Sequence, residues 1–219
     1  MSAILITDKT GKFQYRKNPN GTVAVVKCLE PVSNLSIPEI LDNLIVTSLS
    51  ERAIDLNEHE TVYIPKTISQ IEPATFLSDY IKEVIVDPQN PWFRTIDGML
   101  VETATGSCIF YPPEYPASSL IIPEGIYTIQ DFAFSSCVNL KQIILPESLQ
   151  SIGYEAFEHC EELTDLYIPS AVSHIGDYAF DDCPKLRLQV HEDVYHKIWG
   201  YFREFEELDF ELVKKRPSM

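Results

Sequence analysis

No stretch of this sequence carries the roughly 18 consecutive apolar residues that a membrane-spanning helix needs, so membrane insertion is not expected of it. Basic residues are scarce: 17 Lys and Arg stand against 33 Asp and Glu, for a net charge of −16. Phosphate backbones and anionic headgroups are held by clusters of Lys and Arg. Nucleic acid and anionic membrane therefore drop out as default partners, and a cationic partner or plain solubility fits better. The sequence also lacks the GxGxxG and GxxxxGK elements that cradle dinucleotides and phosphates, the short CxxC and HxxxH pairs of metal sites, and the Asp-x-Asp-x-Asp-Gly spacing of a calcium loop. No cofactor and no metal is expected. Cysteine is too odd in number, at five, to form a disulfide framework. The opening MSAILITDKTGKFQYRK has only Ile4, Leu5 and Ile6 as an apolar patch, with no basic segment before it and no small-residue cleavage site after it. The expectation is a cytoplasmic chain as written, or an extracellular or cell-surface one if a leader has been removed.

What the sequence does hold is a sentence repeated three times. LIIPEGIYTIQDFAFSSCVNL, ILPESLQSIGYEAFEHCEEL and YIPSAVSHIGDYAFDDCPKL align at a period of 23 residues. Pro123, Pro146 and Pro169 fall in one column; Ile129, Ile152 and Ile175 in the next; then Phe134, Phe157 and Phe180; Cys137, Cys160 and Cys183; and Leu140, Leu163 and Leu186. A fixed period of this length marks a leucine-rich solenoid, because one turn cannot bury its own apolar face and must stack on a neighbour. Within a unit the strand is the segment before proline, such as Gln142-Ile143-Ile144-Leu145, and proline ends pairing because it has no N–H to donate. Ala allows close approach between layers and Phe fills the interior. The cysteine column reads as small buried hydrophobes, with a metal ladder as the alternative.

Weaker copies extend the repeat upstream. Val62-Tyr63-Ile64-Pro65 opens one, with Ile71 and Phe76 in place and Thr75 where the later copies have Ala. Leu35-Ser36-Ile37-Pro38 opens another, followed by Leu49, Ala53 and Ile54. From Pro65 to Pro123 is 58 residues, one period and 35 more. The excess, at about residues 87–118, carries strands at Gly98–Val101 and Cys108–Tyr111 around a turn-rich Glu102–Ser107, and reads as a hairpin looping out of the coil. Another hairpin is expected from Lys12–Arg16 and Thr22–Val26 around Asn18-Pro19-Asn20-Gly21. After Leu186 the repetition stops. Val194, Ile198, Trp199 and Phe202 then lie on a helical face, with a strand at Leu208–Val213. The expected organisation is an N-terminal hairpin cap over 1–34, a solenoid of about five units over 35–190, and a helix and strand cap over 191–219. The fold class is mainly β, or α+β.

Three polar groups invite a chemical reading. Ser136, His159 and Asp182 share one repeat position and have the composition of a hydrolase triad. The preferred reading is a solvent-facing turn, as for Ser78 at the same position, since a convex turn supplies neither pocket nor oxyanion hole. His191 and His196 lie five apart, off a common helical face. The acidic run Glu204, Glu206, Glu207, Asp209 and Glu211 reads as a solvated edge.

The recurring Ile-Gly-x-x-Ala-Phe-x-x-Cys-x-x-Leu, with Ile122-Pro123 through Phe134, resembles the BspA-like leucine-rich repeats. FQYRKNPNGTVAVVKCLEPVSNLSIPEI is similar to the family's N-terminal hairpin, and VDPQNPWFRTIDGMLVETATGSCIFYPP to an insert its members often carry, so the resemblance spans about residues 13–190. It implies a right-handed, strand-lined solenoid without catalytic machinery, of a kind linked to adhesion and host-protein binding at bacterial and some protist surfaces. The expected function is a non-catalytic protein-interaction module. The alternatives are a self-associating structural element, or a ligand binder or hydrolase in a cleft beside the insert. The candidate partner-binding residues are the outward strand positions Lys141, Gln142, Ile144, Thr164, Asp165 and Tyr167, with Trp92, Phe93 and Tyr111 of the insert as aromatic anchors. Packing of those aromatics against the solenoid is the competing reading.

Overall fold

Proline sets the geometry of residues 105–219, one of two units into which the chain divides, the other being residues 1–104. The computed structural model describes residues 4–55, 58–198, 209–214 and 216. Among the described residues the fold is a β-solenoid of about eight turns, with almost no helix.

In the second unit each repeat begins with a strand whose alternate residues point inward. Ser119–Ile121 pairs in parallel with Gln142–Ile144 at register Leu120↔Ile143, one period apart. Asp165–Ile168 pairs in parallel with Arg187–His191, and that with Asp209–Val213. Leu120, Ile143, Leu166 and Leu188 are buried. The proline that ends a strand then anchors a tight turn, its carbonyl accepting from Ile126, Leu149 or Val172 three residues on, at 3.4, 3.1 and 3.1 Å. A second parallel row follows, Thr128–Ile129, Ser151–Ile152 and His174–Ile175. Next to it Gly153 and Gly176 hug the preceding turn. A Cβ on Gly153 would meet the Asp131 backbone nitrogen at 2.5 Å, and one on Gly176 the Tyr154 nitrogen at 2.4 Å.

The Ala-Phe segments make a third ladder, in which Phe134 N–H donates to Ala156 O and Phe157 N–H to Ala179 O, both at 2.8 Å. Their rings stack through the interior: Phe134 on Phe157 at 5.0 Å and Phe157 on Phe180 at 5.7 Å, each pair inclined by 12°. Such pairs add to stability beyond the area they bury. The segments bend out of the coil through two left-handed residues per turn, at Phe132, Glu155 and Tyr178 and again at Ser136, His159 and Asp182. The cysteines are free and buried. The thiols of Cys160 and Cys183 donate to Phe134 O and Phe157 O at 3.2 and 3.0 Å, as the core-packing reading requires.

The excess before Pro123 does not loop out here. Ser107-Cys108 pairs in parallel with Thr128-Ile129, Tyr111 N–H donates to Ala133 O at 2.7 Å, and the Tyr111 ring stacks on Phe134 at 5.2 Å. Residues 107–111 thus form a turn of the coil with Tyr in the phenylalanine column. Their apolar side chains gain more from that stack than from a solvated excursion. At the far end, helix Glu192–Ile198 has acidic residues in its first turn, where the helix dipole favours them. Asp209–Val213 extends the sheet, and Tyr195 stacks on Phe210 at 6.0 Å. Of the expected cap residues, Trp199, Phe202 and Glu204 to Glu207 lie outside the described residues, as does the side chain of His196.

The first unit uses the same logic with less regularity. Phe13–Lys17 and Val23–Cys28 form the expected antiparallel hairpin with a bulge at Gln14/Tyr15. The turn closes through Gly21 N–H to Asn18 O at 3.1 Å, and Ile6–Thr7 adds a third strand. Val23–Cys28, Leu44–Leu49 and Gln70–Ile71 run parallel in one row, and Asn34–Ser36, Thr61–Ile64 and Glu83–Val86 in another. Two tight hairpins interrupt the rows. Ile40–Leu41 returns on Leu44–Leu49 through Asp42-Asn43, and Phe93–Ile96 on Met99–Glu102 through Asp97-Gly98. All four turn residues have positive φ, the geometry that suits the twist of a two-residue hairpin. Thr75, standing in the alanine column, is buried with its hydroxyl donating to Ser50 O and Glu72 O.

Candidate interaction surface

Because the strands of the second unit bury every other residue, the remaining ones stand in columns on the outward sheet face. One column is Ser119, Gln142, Asp165 and Arg187; the next is Ile121, Ile144, Tyr167 and Gln189. Ile121 is 65% exposed, Gln142 and Asp165 are exposed, and Ile144 and Tyr167 half-buried. Lys141 is exposed, and its carbonyl accepts both the N–H and the hydroxyl of Thr164 at 3.1 Å, so Thr164 is committed to the turn below it. The structure thus brings Gln142, Ile144, Asp165 and Tyr167 to one face, with Lys141 and Thr164 at its leading edge.

Tyr167 is not bare. The Arg216 guanidinium lies over its ring, 5.0 Å from the centroid, pairs with Glu147 at 3.0 Å and donates to Leu145 O. Sequence reading missed Arg216 as part of this surface, since nothing in the local pattern around it points to Tyr167.

The insert aromatics separate. Phe93 is 2% and Tyr111 1% exposed, so neither is available as an anchor; both fill the interior of their own unit, the competing reading given above. Trp92 is 42% exposed. Its backbone N–H, with that of Phe93, donates to Asn90 Oδ1 at 2.8 and 2.9 Å, while Asn90 Nδ2 donates to Pro65 O and Ile68 O. One asparagine therefore fixes both where Trp92 emerges and where Phe93 enters.

On another edge, His159 Nδ1 lies 3.3 Å from Asp182 and its Nε2 3.8 Å from Glu158. Both ring nitrogens thus face carboxylates rather than Ser136. The N–H groups of Ser136 and His159, which an oxyanion would need, donate instead to Glu158 O and Asp181 O at 2.8 and 3.0 Å. The column has the composition of a triad without its geometry. Ser78 is buried, so the surface reading of that position fails in the first unit. Beside this edge, burial and then the neighbouring Glu155 push the Glu158 carboxyl up, and the hydrogen bond to Glu155, with burial, pushes the Tyr154 phenol to about 12. A shallow groove of about 170 Å³ lies over the second row, where Thr128, Ser151, Asp131 and His174 meet. Among the described residues no three His, Cys, Asp or Glu side chains converge as metal ligands, and no helix is long and apolar enough to cross a membrane.

Comparison with known proteins fits this geometry. The sequence model of the family described as "BspA type Leucine rich repeat region" matches residues 103–198, in 6 copies. These are BspA-type leucine-rich repeats. A leucine-rich cell surface protein from Faecalibacterium prausnitzii has a similar structure, with 22% identity over 87% of this chain and 55% of its own, at a TM-score of 0.54. A leucine-rich repeat protein from Eubacterium ventriosum superposes with a TM-score of 0.59 at 14% identity, over 87% of this chain and 73% of that one. The pneumococcal vaccine antigen PcpA does so with 0.52 at 15%, over 88% and 82%. At these identities the likeness is one of fold, and the chain spans about half the length of the Faecalibacterium protein. No curated protein matches the sequence. The BspA-type units account for the Pro, Phe and Cys columns, of which the Phe and Cys columns are buried throughout. They leave the outward columns free to differ between copies.

Proposed function

We propose that the chain is a protein-interaction module whose BspA-type repeats present the outward sheet face of residues 119–189 to a partner protein, in adhesion or surface recognition. The observation that carries this reading is the column Ile121, Ile144 and Tyr167, an apolar strip that runs across two successive parallel ladders, bordered by Gln142, Asp165 and Arg187. An apolar centre with a polar rim is the anatomy of a recognition surface. The net charge of −16 favours a cationic partner by steering. Trp92 is the anchor proposed for the first unit.

Affinity capture from the native source tests the reading. A Gln142→Ala/Asp165→Ala/Trp92→Ala variant is expected to lose its partner at least about tenfold, since interface energy concentrates in few residues. A partner held equally well by the variant overturns the assignment of the surface. Sedimentation at several concentrations tests the second reading, self-association, which the exposed Ile121 also suits: a monomer throughout removes it.

A further inference from the structure

We propose that Glu147, Tyr167 and the Leu145 carbonyl form an arginine-recognition site, filled by the chain's own Arg216 and taken over by an arginine of the partner. The proposal deepens the protein-interaction reading and rests on it. The three groups supply what a guanidinium needs: an aromatic face for its plane, a carboxylate for its charge and a carbonyl for a spare N–H. They come from two successive repeats, which places them at the proline end of the outward face, one step from Ile144 and Ile121. Glu124 adds charge. Its carboxylate accepts the N–H groups of Glu147 and Ser148 at 2.9 and 3.0 Å, which holds the Glu147 turn in shape.

Arg216 fits the site incompletely. The contacts to Glu147 and to Leu145 O both come from Nη2, so the two-pronged pairing by which a guanidinium grips a carboxylate best is not made. Its Nε is buried without a hydrogen-bond partner, and an unmet buried donor carries a penalty. A guanidinium approaching from outside is free to adopt the forked geometry on Glu147 while keeping the Tyr167 face. The partner segment then has a stated chemistry: an arginine with apolar neighbours that reach Ile144 and Ile121. Release of Arg216 is part of binding, so the intramolecular contact sets the affinity threshold.

The test titrates acetyl-Gly-Arg-Gly-amide, and its lysine and citrulline analogues, into the full chain, followed by the amide NMR signals of Leu145, Glu147 and Tyr167. Arg216→Ala is expected to bind the arginine peptide at least tenfold tighter than the unsubstituted chain, with lysine weaker and citrulline absent. Adding Glu147→Gln to Arg216→Ala is expected to remove the gain. Equal affinity with and without Arg216, or equal response to lysine and arginine, overturns the proposal, the latter because it signals only the diffuse attraction of an acidic surface. Should Arg216→Ala fail to fold, Arg216→Lys carries the same comparison, since it keeps the charge and removes the planar guanidinium that lies over Tyr167. The interaction reading fails separately: its variant leaves Glu147, Tyr167 and Arg216 intact. Loss of the partner there, with no arginine binding here, sinks this proposal alone.

Discussion

The two units solve one problem in two ways. Residues 105–219 stack copies in which the same side chain sits above itself turn after turn, so the Phe134, Phe157 and Phe180 rings and the Cys137, Cys160 and Cys183 thiols form continuous columns. Among the described residues of 1–104 no single residue type recurs through a column in this way. Successive turns there pair Leu35 with Val62 and Val62 with Val84, in spatial register but at unequal sequence spacings and with changing residue type. Side-chain bonds supplement the parallel ladders there: Asp8 accepts from the backbone N–H groups of Thr10, Lys12 and Phe13, Arg16 pairs with Glu72, and Asn90 bonds four backbone groups. Regular stacking makes stability a property of neighbours. Irregular stacking makes it a property of individual polar clamps.

The largest effect is expected where the columns are densest. Phe157 is fully buried between two rings, so Phe157→Ala should cost about 3–5 kcal/mol in urea unfolding, a transfer loss plus a cavity that stacked turns cannot close. Hydrogen exchange should show the loss concentrated in residues 105–198. Protection lost equally across residues 4–104 would break the comparison, because it would mean that the first unit leans on the same stack.

Glycine sharpens the contrast at smaller scale. Gly153→Ala drives a Cβ into the Asp131 backbone nitrogen at 2.5 Å, and backbone cannot swing aside, so a cost of about 3 kcal/mol is expected, at the upper end for overpacking. Gly21→Ala meets nothing within 4 Å, and only its left-handed φ of 83° opposes it, at about 1 kcal/mol. Equal melting shifts for the two variants would show that layer spacing in the second unit yields more than the Gly153 contacts imply.

Much of this contrast was legible in the sequence, for a physical reason. A column buried in every turn constrains residue type in every turn, so Pro, Ile, Phe, Cys and Leu recur at fixed spacing and announce the coil. The N-terminal hairpin was readable too, because Asn18-Pro19-Asn20-Gly21 has the residues its turn demands. Asp97-Gly98 carries an equally strong turn signal, but the strand it returns on, Phe93–Ile96, has no repeated column to mark it. Tyr111 was hidden because a tyrosine in a phenylalanine column looks like surface chemistry until its neighbour Phe134 is seen beneath it. The cover on Tyr167 had no local signature at all: Arg216 lies 49 residues further along the chain, and no periodicity links them.

The cysteines give the smallest signal and the finest test. Burial pushes the Cys28 and Cys108 thiols up to about 12. Cys160 and Cys183 are held well above the usual thiol range, first by their thiol neighbours in the ladder and with them by burial. Each folded value exceeds the unfolded one, near 8.5, so folding favours the protonated thiol. That contribution is complete below the unfolded value and is lost as pH rises from there toward 12, which predicts a stability that declines under alkaline conditions. Near neutrality Cys28, Cys108, Cys160 and Cys183 stay protonated in the folded chain, and their alkylation by iodoacetamide requires opening. Cys28 belongs to the first unit and the other four to the second. With polar clamps opening more easily than a stacked column, mass spectrometry of a urea series should find Cys28 alkylated at lower urea than Cys160. The reverse order would place the weaker packing in the regular repeats and overturn the distinction between the units.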